Sequence, residues 1–339
     1  MLKNYLKTAW RNLYKSKTFS LINVFGLALG LACSLLILLW VREERKMDAF
    51  HEHDAQLYSV FERQYHDGQI DAGHYTPGIL ADELKQTMAE VRYATGMAWN
   101  EENTFYANNK ILKQEGNYAG EDFFKMFSYP LLQGDPETVL KSPLDVAITR
   151  KMAEDFFGSA DAAYGQTIRY DNRKDMKITA VFENTPYNSS FQFDYILSWE
   201  TFLENQSWAR NWDNNGPHTF LMLQPGTDVA AFENKIRDFM DLHTENKNFV
   251  VRFGLQRFSE QYLHSNFENG EIAGGRVKYV RLFSVIAVFI LLIACINFMN
   301  LTTARSVKRA KEIGIRKVAG AFRGALIRQF IGEALLIVV

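Results

Sequence analysis

The residue types that could do chemistry are few in this sequence and poorly spaced. His51-Glu52-His53-Asp54 places four residues of metal-ligand type in a row. Consecutive residues, however, cannot present themselves as two histidines one helical turn apart do in HExxH. Solvated residues beside an apolar run are the better reading. No GxxxxGK[ST] loop occurs, so the chain has no P-loop to cradle the phosphates of ATP. Asn188 and Asn205 open Asn-x-Ser triplets, which accept glycan only in a eukaryotic secretory route. Trp199, Trp208 and Trp212 could line an apolar groove, but large indoles more often fill a core. Leu31-Ala32-Cys33 lacks the bulky residue that a lipidation box wants where Gly30 stands. No nucleophile, metal set or carboxylate pair can be assembled. The sequence therefore reads as a non-enzyme with no cofactor.

Chemistry of another kind resides in Arg309 to Ala321, RAKEIGIRKVAGA. Arg305, Lys308, Arg309 and Lys311 continue from an apolar run, Ile313-Gly314-Ile315 follows, and Arg316-Lys317 and Gly320 close the segment. Cations that only set membrane topology explain the charges and leave the two isoleucines unexplained. Docking into a groove of a soluble partner explains both.

That segment must be held by the elements around it. Leu21 to Val41 and Leu282 to Leu301 carry no charge, and each is long enough to cross about 30 Å of hydrocarbon as a helix. The first run is too long for a signal peptide and has no small-residue cleavage site before Arg42. A third apolar run opens at Ala325, and the sequence ends inside it at Val339, as the truncated start of a third span would. Gly26, Gly30 and Ser34 stand four apart on one face of the first span, where small residues admit a close helix. Asn297 and Asn300 share a face of the second, with side chains suited to interhelical hydrogen bonds. From Leu2 to Tyr14, apolar residues at helical spacing alternate with Lys3, Lys7 and Arg11, the pattern of a helix lying in the membrane interface.

Charge is partitioned sharply although the chain nets only −1. Residues 1–41 hold five basic and no acidic residues, residues 281–339 hold nine against two, and residues 42–280 hold 24 against 37. By the positive-inside rule the amino terminus and the Arg305 to Arg328 segment are cytosolic, and the acidic block lies outside. An acidic block of net charge −13 is no nucleic-acid binder. It also has no cysteine, since Cys33 and Cys295 both fall in the apolar runs. A packed core must stabilise it.

The block reads as α+β. Strands are predicted over 57–65, 146–148, 219–223 and 249–258, and helices over 77–90, 149–157 and 228–242. Hairpins are predicted around Asn108-Asn109 and Asp171-Asn172. The recurring order β, α, β favours layers over a barrel.

Arg309 to Lys317, with Gly320-Ala321, Gln329-Phe330 and Glu333, resembles the cytosolic signature of FtsX-like, MacB-type ABC transporter permeases. Phe123 to Phe127, Leu131 to Pro136, Val146 to Thr149, Phe157-Gly158, Thr185-Pro186 and Asn188 to Ser190 resemble that family's periplasmic core domain. Taken with the apolar runs and the amphipathic pattern, the resemblance divides the chain into an interfacial helix over 1–18, a span over 19–41, a periplasmic domain over 42–280, a second span over 281–303, a coupling segment over 304–324 and the start of a third span from 325. It also implies a porter-like part over about 54–118 and 219–265, with a second subdomain inserted over about 119–218. The coupling residues it points to are Lys311, Glu312, Ile313, Gly314, Ile315, Arg316 and Lys317, set against a cytosolic ABC ATPase subunit. The partners implied are that ATPase, a second permease copy or half, membrane lipid and a periplasmic adaptor or effector, at the cytoplasmic (inner) membrane. A two-span sensor with an extracytoplasmic ligand-binding domain is the competing class. The third apolar run, so soon after the second, argues against it.

Overall fold

The computed structural model describes residues 17–244 and 250–318, with positions 320, 322, 324 and 327 beyond. Its described side chains begin at Leu21 and, past Asn300, are those of 303, 314, 315, 317 and 318 and the four isolated positions. The amphipathic pattern from Leu2 to Tyr14 lies outside the described residues, as does the third apolar run apart from Ile327. Contacts divide the chain into two units, Arg45–Val277 and a second made of Met1–Glu44 with Lys278–Val339.

The first unit is built on one twisted sheet of two halves. In the first half the chain runs β1 (Leu57–His66), α2 (Leu80–Thr87), β3 (Val91–Met97), and later β11 (His218–Leu223), α7 (Val229–Ile236), β12 (Val250–Arg257). These strands lie in the order β3-β11-β1-β12, every neighbouring pair antiparallel. Two βαβ crossovers interleaved in this way form the split βαβ, or ferredoxin-like, arrangement. Period-2 alternation decides which side chains go where. Tyr58 and Val60 face α2 and α7, whose Leu80, Leu84, Phe232 and Ile236 complete that core. Leu57 and Phe220 face the opposite way, into a second core with Phe123, Phe127 and Phe258. The helix predicted over 228–242 stops at Ile236 and resumes only as a 3-10 turn over Phe239–Leu242.

Between β3 and β11 the chain makes β4 (Glu101–Ala107), β5 (Lys110–Ala119), β7 (Asp145–Thr149), β8 (Thr167–Tyr170), β9 (Lys174–Phe182) and β10 (Tyr195–Ser198). Their order is β10-β7-β9-β8-β4-β5, and β10 also pairs in parallel with β5. The six strands thus close on themselves around Phe105, Tyr118, Ile148, Ile168, Ile178 and Tyr195. The layers expected from the sequence describe the first half, whereas this second half is a small barrel. Its closure rests on two parallel pairings, β7 with β9 and β5 with β10, that local pattern cannot disclose. The hairpin β4–β5 pairs with β8 and β10 and so sits with the barrel strands, not with the layers where a boundary near 118 would put it.

Both predicted hairpins form. Asn108 and Asn109 adopt φ of 48° and 62°, and Asp171 and Asn172 adopt 48° and 52°, the left-handed pair that a two-residue turn needs and that Asn and Asp tolerate best. α4 (Arg150–Phe157) starts on Thr149, whose hydroxyl accepts the Met152 N–H, and ends at Gly158 with φ 89°, a cap at each end.

The second unit holds two helices long and apolar enough to cross a membrane. They are α1 (Lys17–Glu44) and α9 (Val277–Val318), with apolar stretches at Leu21–Glu44 and Val277–Asn300.

Candidate functional site

In the second unit α1 and α9 pack antiparallel along a seam of small residues. Leu27, Ser34 and Val41 are buried on α1, and Val280, Ala287 and Ala294 on α9, each set seven residues apart. A seven-residue repeat keeps one face of each helix on its neighbour. Gly30 sits so close to α9 that a Cβ there would lie 2.5 Å from the Ala294 Cβ, and at Gly26 a Cβ would lie 3.1 Å from the Asn297 amide nitrogen. The Ser34 hydroxyl donates to the Ala287 carbonyl at 3.1 Å, and Trp40 meets Phe283 edge to face at 5.2 Å. Gly26, Gly30 and Ser34 are therefore brought together on α9. Asn297 and Asn300 remain exposed side chains in this single chain, and Asn297 alone reaches the glycine stripe. Leu29, Leu36, Phe289 and Ile293 point away from the seam and are exposed, the surface that lipid or another helix covers.

α9 does not stop where its apolar stretch does. It runs unbroken for 42 residues, about 63 Å at 1.5 Å per residue, and carries Lys311 to Lys317 on its last turns. The Lys311 to Lys317 segment is thus helical. The side chains of Lys311, Glu312, Ile313 and Arg316 lie outside the described residues. Ile315 and Val318, three apart and so neighbours on the helix surface, are 71% and 91% exposed. A Cβ on Gly314 would meet nothing within 4 Å among the described residues. The helix closes at Gly320, whose φ is 88° and whose N–H donates to the Lys317 carbonyl at 3.2 Å. What results is a basic helical end whose Ile315 and Val318 are not covered by any of the described residues.

In the first unit one of the four residues read as solvated, His51, proves otherwise, whereas Glu52 is exposed. His51 is 3% exposed and packs among Phe50, Phe127, Tyr129 and Phe258, with ring centroids 4.0 to 5.6 Å away. The Ser128 N–H donates to its Nδ1 at 3.1 Å, and burial pulls its pKa down to about 4. It is a core residue, which four polar letters in a row conceal. Asp48 is buried beside it in the left-handed region at φ 59°. Its carboxylate accepts the Ser190 N–H at 2.7 Å, its own N–H donates to the Asn188 carbonyl at 2.8 Å, and the Asn188 amide donates to the Lys46 carbonyl at 3.2 Å. The Asn188-Ser189-Ser190 segment thereby clamps residues 46–51.

The three tryptophans are not one groove. Trp199 is buried in the barrel core, pressed on Gly96, with its indole N–H donating to the Gly78 carbonyl at 3.1 Å. Trp208 stacks on Trp99 at the surface, centroids 6.3 Å apart. Trp212 stacks on His243 at 3.9 Å, against the core of the layers. Asn205 ends α6 (Trp199–Asn205).

Sequence comparison matches residues 20–239 to the MacB-like periplasmic core domain and residues 284–339 to the FtsX-like permease C-terminal region. The chain is 25% identical over 228 residues to the macrolide export ATP-binding/permease protein MacB of Neisseria gonorrhoeae, covering 65% of this chain and 32% of that protein. It is 22% identical over 360 residues to the pyoverdine export ATP-binding/permease protein PvdT of Pseudomonas savastanoi pv. phaseolicola, covering 99% of this chain and 50% of that one. The chain thus spans between a third and a half of the length of these relatives. A crystallised domain of a permease protein from Porphyromonas gingivalis shares the fold of the first unit, with a TM-score of 0.52 and 19% identity over 66% of this chain and 95% of that one. A mixed α/β extracytoplasmic domain flanked by apolar helices, joined to these matches, makes the chain a membrane protein of the FtsX-like, MacB-type ABC transporter permease family.

Proposed function

We propose that this chain is a permease subunit that converts ATP hydrolysis by a separate ABC ATPase subunit into movement of its extracytoplasmic domain, for export or for control of an envelope process. The observation that carries the reading is the unbroken α9. A single helix joins a membrane-spanning stretch to an exposed, basic, apolar-tipped end, and a continuous helix transmits a push where a flexible loop would absorb it. Exposed Ile315 and Val318 beside Lys317 suit insertion into a groove of the ATPase. Gly314, which no neighbour among the described residues requires, leaves room for a close approach by that partner. Lys311 to Lys317 then form the coupling element, with the amino terminus on the same cytosolic side. The exposed faces of α1 and α9 suit lipid and a second permease copy.

The test is association. Ile315→Asp combined with Val318→Asp is expected to abolish copurification with the ATPase while the chain still inserts in the membrane. Retained association at wild-type level would show that this end is not the docking element.

A further inference from the structure

Glu62 stands near the middle of β1 and is 1% exposed. Two amides, from Gln64 and Asn215, donate to its Oε1. Its Oε2 has no hydrogen-bond partner among the described residues, and no cation there offsets its charge. A buried carboxylate ordinarily pairs with a cation, because leaving it alone is costly. Asp122 shows the rule elsewhere in this domain, since its carboxylate, 0% exposed, pairs with both Lys85 and Lys125.

Glu62 does not face solid core. It lines a cavity of about 250 Å³ together with Trp212, Asp213, Asn215, Met240 and Val251, room for about eight waters at their liquid volume. Asp213 is a second carboxylate on this wall. It accepts the Thr244 hydroxyl at 2.8 Å and has no ion pair among the described residues. Trp212, Met240 and Val251 form the apolar side, with Met240 and Val251 both 4% exposed. Two carboxylates with no cation partner among the described residues, facing an indole, a thioether and an isopropyl group, describe the chemical complement of an amine with an apolar body. A hydrated metal ion fits less well, because three of the lining residues offer it no oxygen ligand.

We propose that this cavity is a binding site for a small primary alkylammonium ligand, whose N–H groups donate to Glu62 Oε2 and Asp213 and whose alkyl part lies on Trp212, Met240 and Val251. A primary ammonium suits Oε2 better than a quaternary one, since only the former can donate to it. The extracytoplasmic domain would then sense or hold such a cation, independently of how the chain couples to ATP.

The experiment is calorimetric titration of the full chain in lipid nanodiscs at pH 8 with n-butylammonium, 1-butanol and calcium chloride as separate titrants. Butylammonium is expected to bind saturably and at least tenfold more tightly than 1-butanol. Glu62→Gln should weaken butylammonium at least tenfold, and Asp213→Asn should weaken it by a smaller factor. The comparison of butylammonium with 1-butanol needs no variant, so it decides even if Glu62→Gln fails to fold. Equal affinity for the amine and the alcohol, an unchanged affinity in folded Glu62→Gln, or saturable calcium binding without amine binding would each overturn the assignment.

Discussion

The Asp48 carboxylate accepts the Ser190 N–H at 2.7 Å across 142 residues of sequence, and this bond, with the two bonds of Asn188, ties the segment that follows the first apolar helix to the body of the extracytoplasmic domain. Asp48 holds a left-handed φ of 59° to make it, a conformation that Asp and Asn tolerate and Ala does not. Asp48→Ala is therefore expected to destabilise the domain by about 2 kcal/mol, from the orphaned N–H and the strained backbone together. Asp48→Asn should cost less than half as much. Chemical denaturation followed by tryptophan fluorescence measures both.

Close packing of α1 on α9 gives a second prediction. A methyl at Gly30 would stand 2.5 Å from the Ala294 Cβ, so Gly30→Ala should loosen the pair, and Ala294→Gly should relieve the clash in the double variant. A double-mutant cycle on thermal stability in nanodiscs is expected to show a favourable interaction of about 1 kcal/mol. Additive effects would mean that the two positions do not meet.

Titration provides a third. Burial pushes the Glu62 carboxyl up to about 7 from an ordinary 4.5, so the folded chain holds a proton there that the unfolded chain has released. Its protonation supports folding at low pH, and that support is lost as pH rises from 4.5 through about 7. Glu62→Gln should therefore match wild type near pH 4.5 and exceed it by about 3 kcal/mol at pH 8. His51 has the opposite sign. Burial pulls it down to about 4 from 6.5, so stability is fully present above 6.5 and is lost as pH falls toward 4. His51→Asn, which keeps an acceptor for the Ser128 N–H, should flatten the acid limb by up to about 3 kcal/mol. Denaturation midpoints measured from pH 4 to 8 separate the two.

Much of this architecture is written locally. Asn108-Asn109 and Asp171-Asn172 announce their hairpins because few other residues accept two successive positive φ values. Thr149 and Gly158 announce the two ends of α4 for similar reasons. β10 escapes such reading because Tyr195–Ser198 is four residues long and buried on every side, so it has no alternation to show. β3, Val91–Met97, is likewise broken by Thr95 and Gly96, where Trp199 presses on the backbone. The functional features divide in the same way. The basic helical end and the glycine stripe are patterns within one segment. His51 and Glu62 are defined instead by what surrounds them, Phe258 for one and Asn215 for the other, more than 150 residues away.

If α9 transmits force as a continuous rod, breaking it must uncouple its two ends. Ala304→Pro breaks its hydrogen bonding between the membrane stretch and the basic end without touching Lys311 to Val318. The direct measurement is the distance between spin labels at Tyr187→Cys in two permease copies, with Cys33 and Cys295 replaced by serine, before and after ATP is added with the ATPase. A rigid α9 requires that ATP shift this distance in the unbroken helix, and that Ala304→Pro keep the ATPase bound while abolishing the shift. An ATP-driven shift of undiminished size in Ala304→Pro would contradict it.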